Sequence, residues 1–278
     1  MDISVIVCVK NAERTIEQCL ESVRKSRPSE VIVVDGNSTD DTARIAQQYT
    51  NKVYSDEGKG LAYARQLGAE KASSSYISYV DSDVILPENC LAKMLEELKE
   101  KGYAGIHAQI ISWKNTSYWE WAEDQHFRAV FNKERGRQAI GTIAAIYERD
   151  KILAYKFDTF FRGASEDGDL CHRLRRNGLT LGVSSVFAYH QHRANAKSFI
   201  RQRYWYGRGN ARFFWKHRST LVLFGASLMI PFGVLVCVRK RSPKMFPYYV
   251  VWSIAGNIGM LRELSALTLR KLAPNIPQ

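Results

Sequence analysis

The chain opens by alternating apolar runs of strand length with helical periodicities, four times over within its first 101 residues. Ile3 to Val9 is a continuous apolar run, and "NAERTIEQCLESVRKS" then sets Ala12, Ile16, Cys19, Leu20 and Val23 on one helical face. "EVIVVDG" is a second run ending at Asp35, and "NSTDDTARIAQQY" follows with Ser38 and Asp41 at the spacing of a capping box. "NKVYSD" is a third, short strand, followed by "GKGLAYARQLGAEKA", a helix whose start Gly58 and Gly60 mark. "YISYVDSD" leads into a helix from Pro87 or Glu88 to Lys101, with the proline where a first turn tolerates it. Strands that are apolar throughout must be covered on both faces, or every second side chain would face water. The fold class is therefore α/β, a parallel sheet with helices on both faces.

Ligands of such sheets bind beyond the carboxyl ends of the strands. Asn11, Asp35, Asp56 and Asp81 each stand at or just after a strand end. Any one alone reads as a turn or cap residue, but together they predict a site. In "SYISYVDSDVILP", Asp81 and Asp83 flank one serine where the strand surfaces. Two carboxylates so placed can share a hard divalent cation, directly or through water, and that cation can neutralise a diphosphate; aspartates that merely cap a helix produce the same spacing. "FFRGASEDGDLCHRLRRNG" sets Glu166, Asp167 and Asp169 at the start of a helix that ends at Gly178. Acidic residues suit a helix N-terminus, yet carboxylates this close repel unless a cation, a substrate or solvent relieves them. If a nucleotide-linked donor sits on Asp81 and Asp83, an acceptor hydroxyl must lose a proton, and this cluster holds the candidate base.

A chain of 278 residues, 45% of them hydrophobic, makes one large domain or a domain with an appendage, not a disordered tail or a disulfide-stapled miniature. Cys8, Cys19, Cys90, Cys171 and Cys237 have neither CxxC nor metal-finger spacing and read as packing residues of a reducing compartment. "MDISVIVCVKN" carries no basic leader, and its apolar run is too short for a signal peptide, so the catalytic part is expected in the cytoplasm. The net charge of +12 is uneven: residues 1–189 carry 25 Lys+Arg against 27 Asp+Glu (−2), and residues 190–278 carry 15 against Glu263 alone (+14). So basic a tail seeks phosphates, of nucleic acid or of an anionic membrane.

In order and spacing, "SVIVCVKNAERTIEQCLESV", "VIVVDGNSTDDT", "GKGLAYARQLGAEKA", "YISYVDSDVILP" and "GASEDGDLCHRLRRNG" resemble the family 2 glycosyltransferases, over residues 3 to about 192. The resemblance implies a GT-A fold with a mixed, mostly parallel sheet, a nucleotide-sugar donor, a divalent metal (Mg or Mn), and inversion at the anomeric carbon in one displacement. It places Asp35 on the base or ribose, Arg65 on the diphosphate, Asp81 on the ribose side, and Asp83 on the metal, with Asp81 sharing it. Val9 and Asn11 join the nucleotide-sugar set, Val9 through its backbone, because Cys8 and Val9 replace the Pro and Thr frequent in relatives. Asp167, last residue of "SED", becomes the general base, and Glu166 orients it or contacts the acceptor. A histidine after "FAY" is implied to approach the metal or diphosphate, and of His190 and His192 we take His190. Residues 114–137, with Trp119 and Trp121, are expected to line the acceptor side.

From Phe199 the character changes. Phe199, Tyr206 and Phe213 recur at sevens while Lys197, Arg201, Arg208, Arg212 and Lys216 gather on another side, the pattern of an interfacial helix on anionic lipid over residues 193–218, although Gly207 and Gly209 weaken a helix there. "RQRYW" loosely resembles a motif of processive relatives, but Tyr204 stands where they have Arg, and polymer synthesis does not follow. Residues 219–238 contain no charge and would make a helix of about 30 Å, enough to cross a bilayer. Residues 246–261 form a second, shorter apolar run, so 219–278 reads as a membrane-associated hairpin. A spanning hairpin would put "RKRSPK" outside, against the positive-inside tendency, and a shallow, re-entrant or oligomer-buried hairpin avoids this.

The expected partners are thus a nucleotide-sugar donor, an anionic membrane, a lipid or lipid-linked glycan acceptor, and another copy through the C-terminal helices, with no nucleic acid. The expected location is the cell membrane, catalytic domain on the cytoplasmic side. The alternative is a nucleic-acid-binding protein using "RQRYWYGRGNARFFWKHR", against which the acidic first domain and the apolar run after that segment both count. An aspartate-based phosphatase would need Asp81 as nucleophile, and an inactive nucleotide-sugar binder would not need Asp83 and Asp167.

Overall fold

In the computed structural model, which describes residues 1–133 and 140–272, each early apolar run is a strand and each periodic stretch a helix. The elements are β1 (Ile3–Val9), α1 (Ile16–Lys25), β2 (Glu30–Asp35), α2 (Thr42–Ala46), β3 (Val53–Ser55), α3 (Leu61–Lys71), β4 (Tyr76–Val80), β5 (Val84–Ile85) and α4 (Cys90–Lys101). There follow β6 (Gly105–Ser112), α5 (Tyr118–His126), β7 (Ala144–Glu148), α6 (Arg149–Tyr155), α7 (Glu166–Arg176) and β8 (Leu181–His190). Helices α8 (Ala196–His217), α9 (Thr220–Gly225), α10 (Met229–Lys240) and α11 (Phe246–Leu272) complete the described chain.

The strands form one sheet in the order β3-β2-β1-β4-β7-β6-β8-β5. β1 runs parallel to β2 and β4, β2 to β3, and β6 to β8, while β7 is antiparallel to β4 and β6, and β5 to β8. The sheet is mixed, whereas periodicity alone predicted a parallel one. The reason lies in β7: Ala144, Ala145, Ile146 and Tyr147 are all buried, as in a central parallel strand, and two-sided burial carries no information about direction. Val5 and Val7 of β1 enter a core with Cys19 and Leu20 of α1, and Ile6 between them enters a second core with Ala64 and Ala69 of α3 and Leu170 of α7.

One feature expected at the start of α2 is absent. Ser38 makes no capping box with Asp41: its hydroxyl donates to Asp35, and the first turn is tied instead by Asp40, which accepts from the amide of Thr42 at 3.1 Å.

The chain divides into two units: residues 1–115, 123–162 and 166–192 form the first, and residues 116–122, 163–165 and those from 193 on form the second. In the second unit Phe199 of α8 faces inward, while Tyr206 and Phe213 of the same stripe are half-buried. Phe199, Tyr248 and Tyr249 are the unit's fully buried centre, and Trp119 stacks on Phe199 at 4.8 Å between ring centroids. Trp119 and Trp121 are half-buried and pack against this core, and part of the 114–137 stretch, from 134, lies outside the described residues. Arg203 is buried against aromatic rings, its guanidinium 3.9 Å from the Trp252 centroid, and Arg208 and Arg212 each donate from Nε to Glu263 at 2.7 Å. Gly207 sits within α8 because a Cβ there would run into the carbonyl of Gly256, so its lost helix propensity is exchanged for a close crossing of α8 and α11.

The uncharged run 219–238 does not form a spanning helix. Pro231 has no N–H and its ring clashes with the carbonyl four residues back, so α9 ends at Gly225 and α10 restarts at Met229 with the proline in its first turn. α10 is 12 residues, about 18 Å. Among the described residues no helix is long and apolar enough to cross a membrane.

Candidate active site

The carboxyl ends of β1 and β2 are stitched by short polar contacts. Val9 and Asp35 are register partners, and the Val9 carbonyl accepts from the amide of Gly36 at 2.8 Å. Asn11, at φ +50°, donates its amide to Ser38 Oγ at 2.9 Å and accepts from the amide of Thr39 at 2.8 Å. Asp35 accepts from the amide of Ser38 at 3.0 Å and from its hydroxyl at 2.5 Å. These contacts leave further lone pairs on the Asp35 carboxylate, which has about four. Asp56 differs. It is buried and accepts from the amides of Gly58 at 2.7 Å and Gly60 at 3.1 Å, which makes it the brace of the turn before α3. Gly60 is required in that turn: its φ is +99°, and a Cβ would stand 2.7 Å from the Arg162 carbonyl oxygen.

Arg65 of α3 is 4% exposed and joins two loops that are far apart in sequence. Its Nη2 donates to Asp81 Oδ1 at 3.1 Å, and its Nη1 pairs with Glu166 Oε1. The hydroxyl of Tyr79 donates to the Arg65 carbonyl at 3.0 Å and fixes the turn of helix that bears it. Burial pushes the Asp81 carboxyl above its ordinary range, the Arg65 guanidinium pulls it down, and Asp83 pushes it up again. Burial alone would lower the Arg65 pKa, but Asp81 and Asp167 outweigh it and the guanidinium is held above its ordinary value. The structure thus shows Arg65 engaged with two carboxylates of the site.

Asp83 lies at the junction of β5 and β8. Val84 pairs with His190, and the Asp83 carbonyl accepts from the amide of Gln191 at 2.9 Å, which brings His190 Nε2 to 3.3 Å from Asp83 Oδ1. Behind it, His190 Nδ1 and His192 Nδ1 share a hydrogen bond of 2.8 Å. Of the expected metal set, Asp83 and His190 converge, while Asp81 is turned to Arg65. Among the described residues no three His, Cys, Asp or Glu side chains form a metal cluster. The Asp83 carboxylate fits a Mg or Mn ion that takes its remaining ligands from a diphosphate and water, the usual arrangement for Mg at phosphate-transfer sites, and the His190 imidazole beside it suits Mn better than the strictly oxygen-seeking Mg.

The three carboxylates of "SEDGD" have separate surroundings. Glu166 is buried and paired with Arg65, and among the described residues its Oε2 accepts no hydrogen bond. Asp169 is fully buried and bound to Arg173 at 2.8 Å one turn along α7. Asp167 is half-buried; the amide of Gly168 donates to its Oδ1 at 2.7 Å, and its Oδ2 lies 3.9 Å from where a Cβ on Gly141 would stand. The expected base is therefore the accessible member of the cluster. Tyr79 and the His192 bond behind His190 complete the site. Tyr79 carried no signal beyond its place in an apolar strand.

Comparisons with known proteins identify the family and the fold. The sequence profile of glycosyl transferase family 2 matches residues 4–158, more than half of the chain. The putative glycosyltransferase EpsH of Bacillus subtilis is 27% identical over 182 residues, covering 59% of this chain and 52% of that protein. The chain spans about half the length of the curated relatives it matches first. Among solved structures, the mannosyltransferase PcManGT from Pyrobaculum calidifontis, in complex with GDP-Man and Mn2+, superposes with a TM-score of 0.64 at 16% identity, covering 99% of this chain and 88% of that one. Glucosyl-3-phosphoglycerate synthase from Mycobacterium tuberculosis, with Mn2+, UDP-Glc and phosphoglyceric acid, gives 0.56 at 21% identity, over 76% of this chain and 78% of that one. These two likenesses speak to the fold, the GT-A architecture that the family resemblance implied. The mixed sheet, the carboxylates at its strand ends and the match over residues 4–158 make this chain a member of glycosyl transferase family 2.

Proposed function

We propose that the protein transfers a sugar from a nucleotide-sugar donor to a lipid carrier, or to a glycan on one, with inversion at the anomeric carbon, at the cytoplasmic side of the cell membrane. The observation that carries the chemistry is the sorting of the "SEDGD" carboxylates: Glu166 and Asp169 are committed to Arg65 and Arg173, and Asp167 stands half-exposed beside them. Asp167 takes the proton of the acceptor hydroxyl as its oxygen attacks. Asp35, Asn11 and the backbone at Val9 hold the nucleoside at the ends of β1 and β2. Asp81, braced by Arg65, faces the ribose. Asp83 and His190 would hold Mg or Mn, which supplies positive charge to the departing diphosphate. The PcManGT and glucosyl-3-phosphoglycerate synthase complexes carry GDP-Man and UDP-Glc with Mn2+, which supports a metal-assisted nucleoside-diphosphate leaving group and does not choose the base.

Nucleoside diphosphate release should be followed with UDP- and GDP-sugars, Mn, and a polyprenyl phosphate in detergent. Asp167→Asn is expected to lower turnover at least 100-fold, the low end of what a positioned base contributes, while donor affinity stays within a few-fold. Turnover of Asp167→Asn at the wild-type rate would contradict the assignment.

A further inference from the structure

The second unit leaves an apolar surface uncovered. α11 buries Gly256, Met260, Glu263 and Leu267 on one side and turns Ile254, Ile258, Leu261 and Leu269 outward, each 54–66% exposed. Those four outward positions fall on a single stripe of a helix with about 3.6 residues per turn. α10 does the same: Val236 and Gly233 are buried, while Val234, Leu235 and Val238 are 48%, 62% and 71% exposed. Leu221 and Phe224 of α9 are 72% and 56% exposed. Helices apolar on both sides are normally buried, and an exposed apolar patch of several helices marks something that covers it.

Charge identifies the cover. Glu263 is the single acidic residue of 193–278, and it is buried and held by Arg208 and Arg212. Burial would raise its carboxyl pKa, but the two arginines outweigh that and hold it below the ordinary range. Every charged side chain that these helices expose is therefore basic, including Arg239, Lys240 and Arg241 at the end of α10 and Arg270 and Lys271 at the end of α11. A second copy placed symmetrically on this face would set basic ends among basic ends. An anionic lipid headgroup layer complements both the apolar stripes and the cationic rim.

We infer that the outer faces of α9, α10 and α11 dock in the plane of an anionic lipid surface without crossing it. The membrane-bound acceptor proposed above gives this docking its purpose, and the inference rests on that reading to this extent. In-plane docking also keeps "RKRSPK" on the same side as the catalytic unit, so the conflict with the positive-inside tendency that a spanning hairpin raises disappears.

The test is flotation of the full chain, diluted from detergent, with vesicles of phosphatidylglycerol and phosphatidylcholine or of phosphatidylcholine alone, with UDP and GDP binding measured in parallel. Co-flotation with the anionic vesicles only, weakened at high salt and released by alkaline carbonate, is expected. Ile258→Glu with Leu261→Glu should reduce the partition at least tenfold, since each exposed side chain buried in the interface contributes about that factor, and should leave nucleotide binding unchanged. Equal flotation of that variant, resistance to alkaline extraction, or a wild-type dimer that the variant converts to a monomer would each overturn the inference. Nucleotide binding without flotation would sink the docking and spare the transferase; flotation without nucleotide binding would do the reverse.

Discussion

Arg65→Met is the substitution whose outcome the structure constrains most tightly. The side chain is replaced by one of similar length without charge, so packing around α3 is largely kept. What is lost is the partner of Glu166, a carboxylate with 2% exposure whose Oε2 already accepts nothing among the described residues. An unpaired buried charge costs about 3–5 kcal/mol, but a carboxyl can escape by taking a proton. Neutralising a glutamate of ordinary pKa, about 4.3, costs about 3.7 kcal/mol at pH 7 and about 1 kcal/mol at pH 5, which sets a ceiling that moves with pH. Arg65→Met should therefore destabilise the first unit by about 3–4 kcal/mol at pH 7, a fall of roughly 6–16 °C in its thermal midpoint, and by much less at pH 5. The assay is thermal or urea unfolding at both pH values, on wild type, Arg65→Met, Glu166→Gln and the double variant. The double variant should recover at least half of the loss and show no extra pH dependence. A pH-independent loss, or additive single effects, would refute the bracing role. If Arg65 instead served only the diphosphate, stability would be unchanged and UDP or GDP affinity would fall.

Two further outcomes follow from the second unit. The Glu263 carboxyl is held below its ordinary value, so the stability it contributes is present above that ordinary value and is lost as pH falls through the lowered folded value. Glu263→Gln should cost about 2–4 kcal/mol at neutral pH, and the gap between the wild-type and variant unfolding curves should close in acid. Gly207→Ala puts a Cβ into the Gly256 carbonyl, and backbone must move to admit it; a loss of at least about 2 kcal/mol and reduced helical content on mild heating are expected, read by circular dichroism.

β1, β2 and β4 were legible because each is a run of mostly buried apolar residues, and the half-buried β3 was legible from its place between two helical stretches. β7 was not legible in its direction, since Ala144 to Tyr147 are buried on both sides whichever way the strand runs. At the site, Asp83 and His190 could be read as partners through the resemblance, and the β5–β8 pairing brings them together. Arg65 could not be read as a brace, because its two carboxylate partners lie 16 and 101 residues away and nothing local records them. The tail was legible only in part: the seven-residue recurrence of Phe199, Tyr206 and Phe213 fits equally a lipid-facing stripe and an inward one, and the structure buries Phe199 in the core of the second unit while Tyr206 and Phe213 stay half-buried. Pro231, visible from the start, is what divides the long uncharged run into two short helices.

The central claim is a nucleoside-diphosphate site that recruits its metal through Asp83 and His190. Calorimetric titration of UDP and of GDP, each with and without Mn, into wild type and Asp83→Ala measures it directly. The account predicts that one of the two nucleotides binds, that Mn tightens it at least tenfold, and that Asp83→Ala removes the metal effect while leaving a weak metal-free isotherm. Binding that ignores Mn, or that survives unchanged in Asp83→Ala, would contradict it.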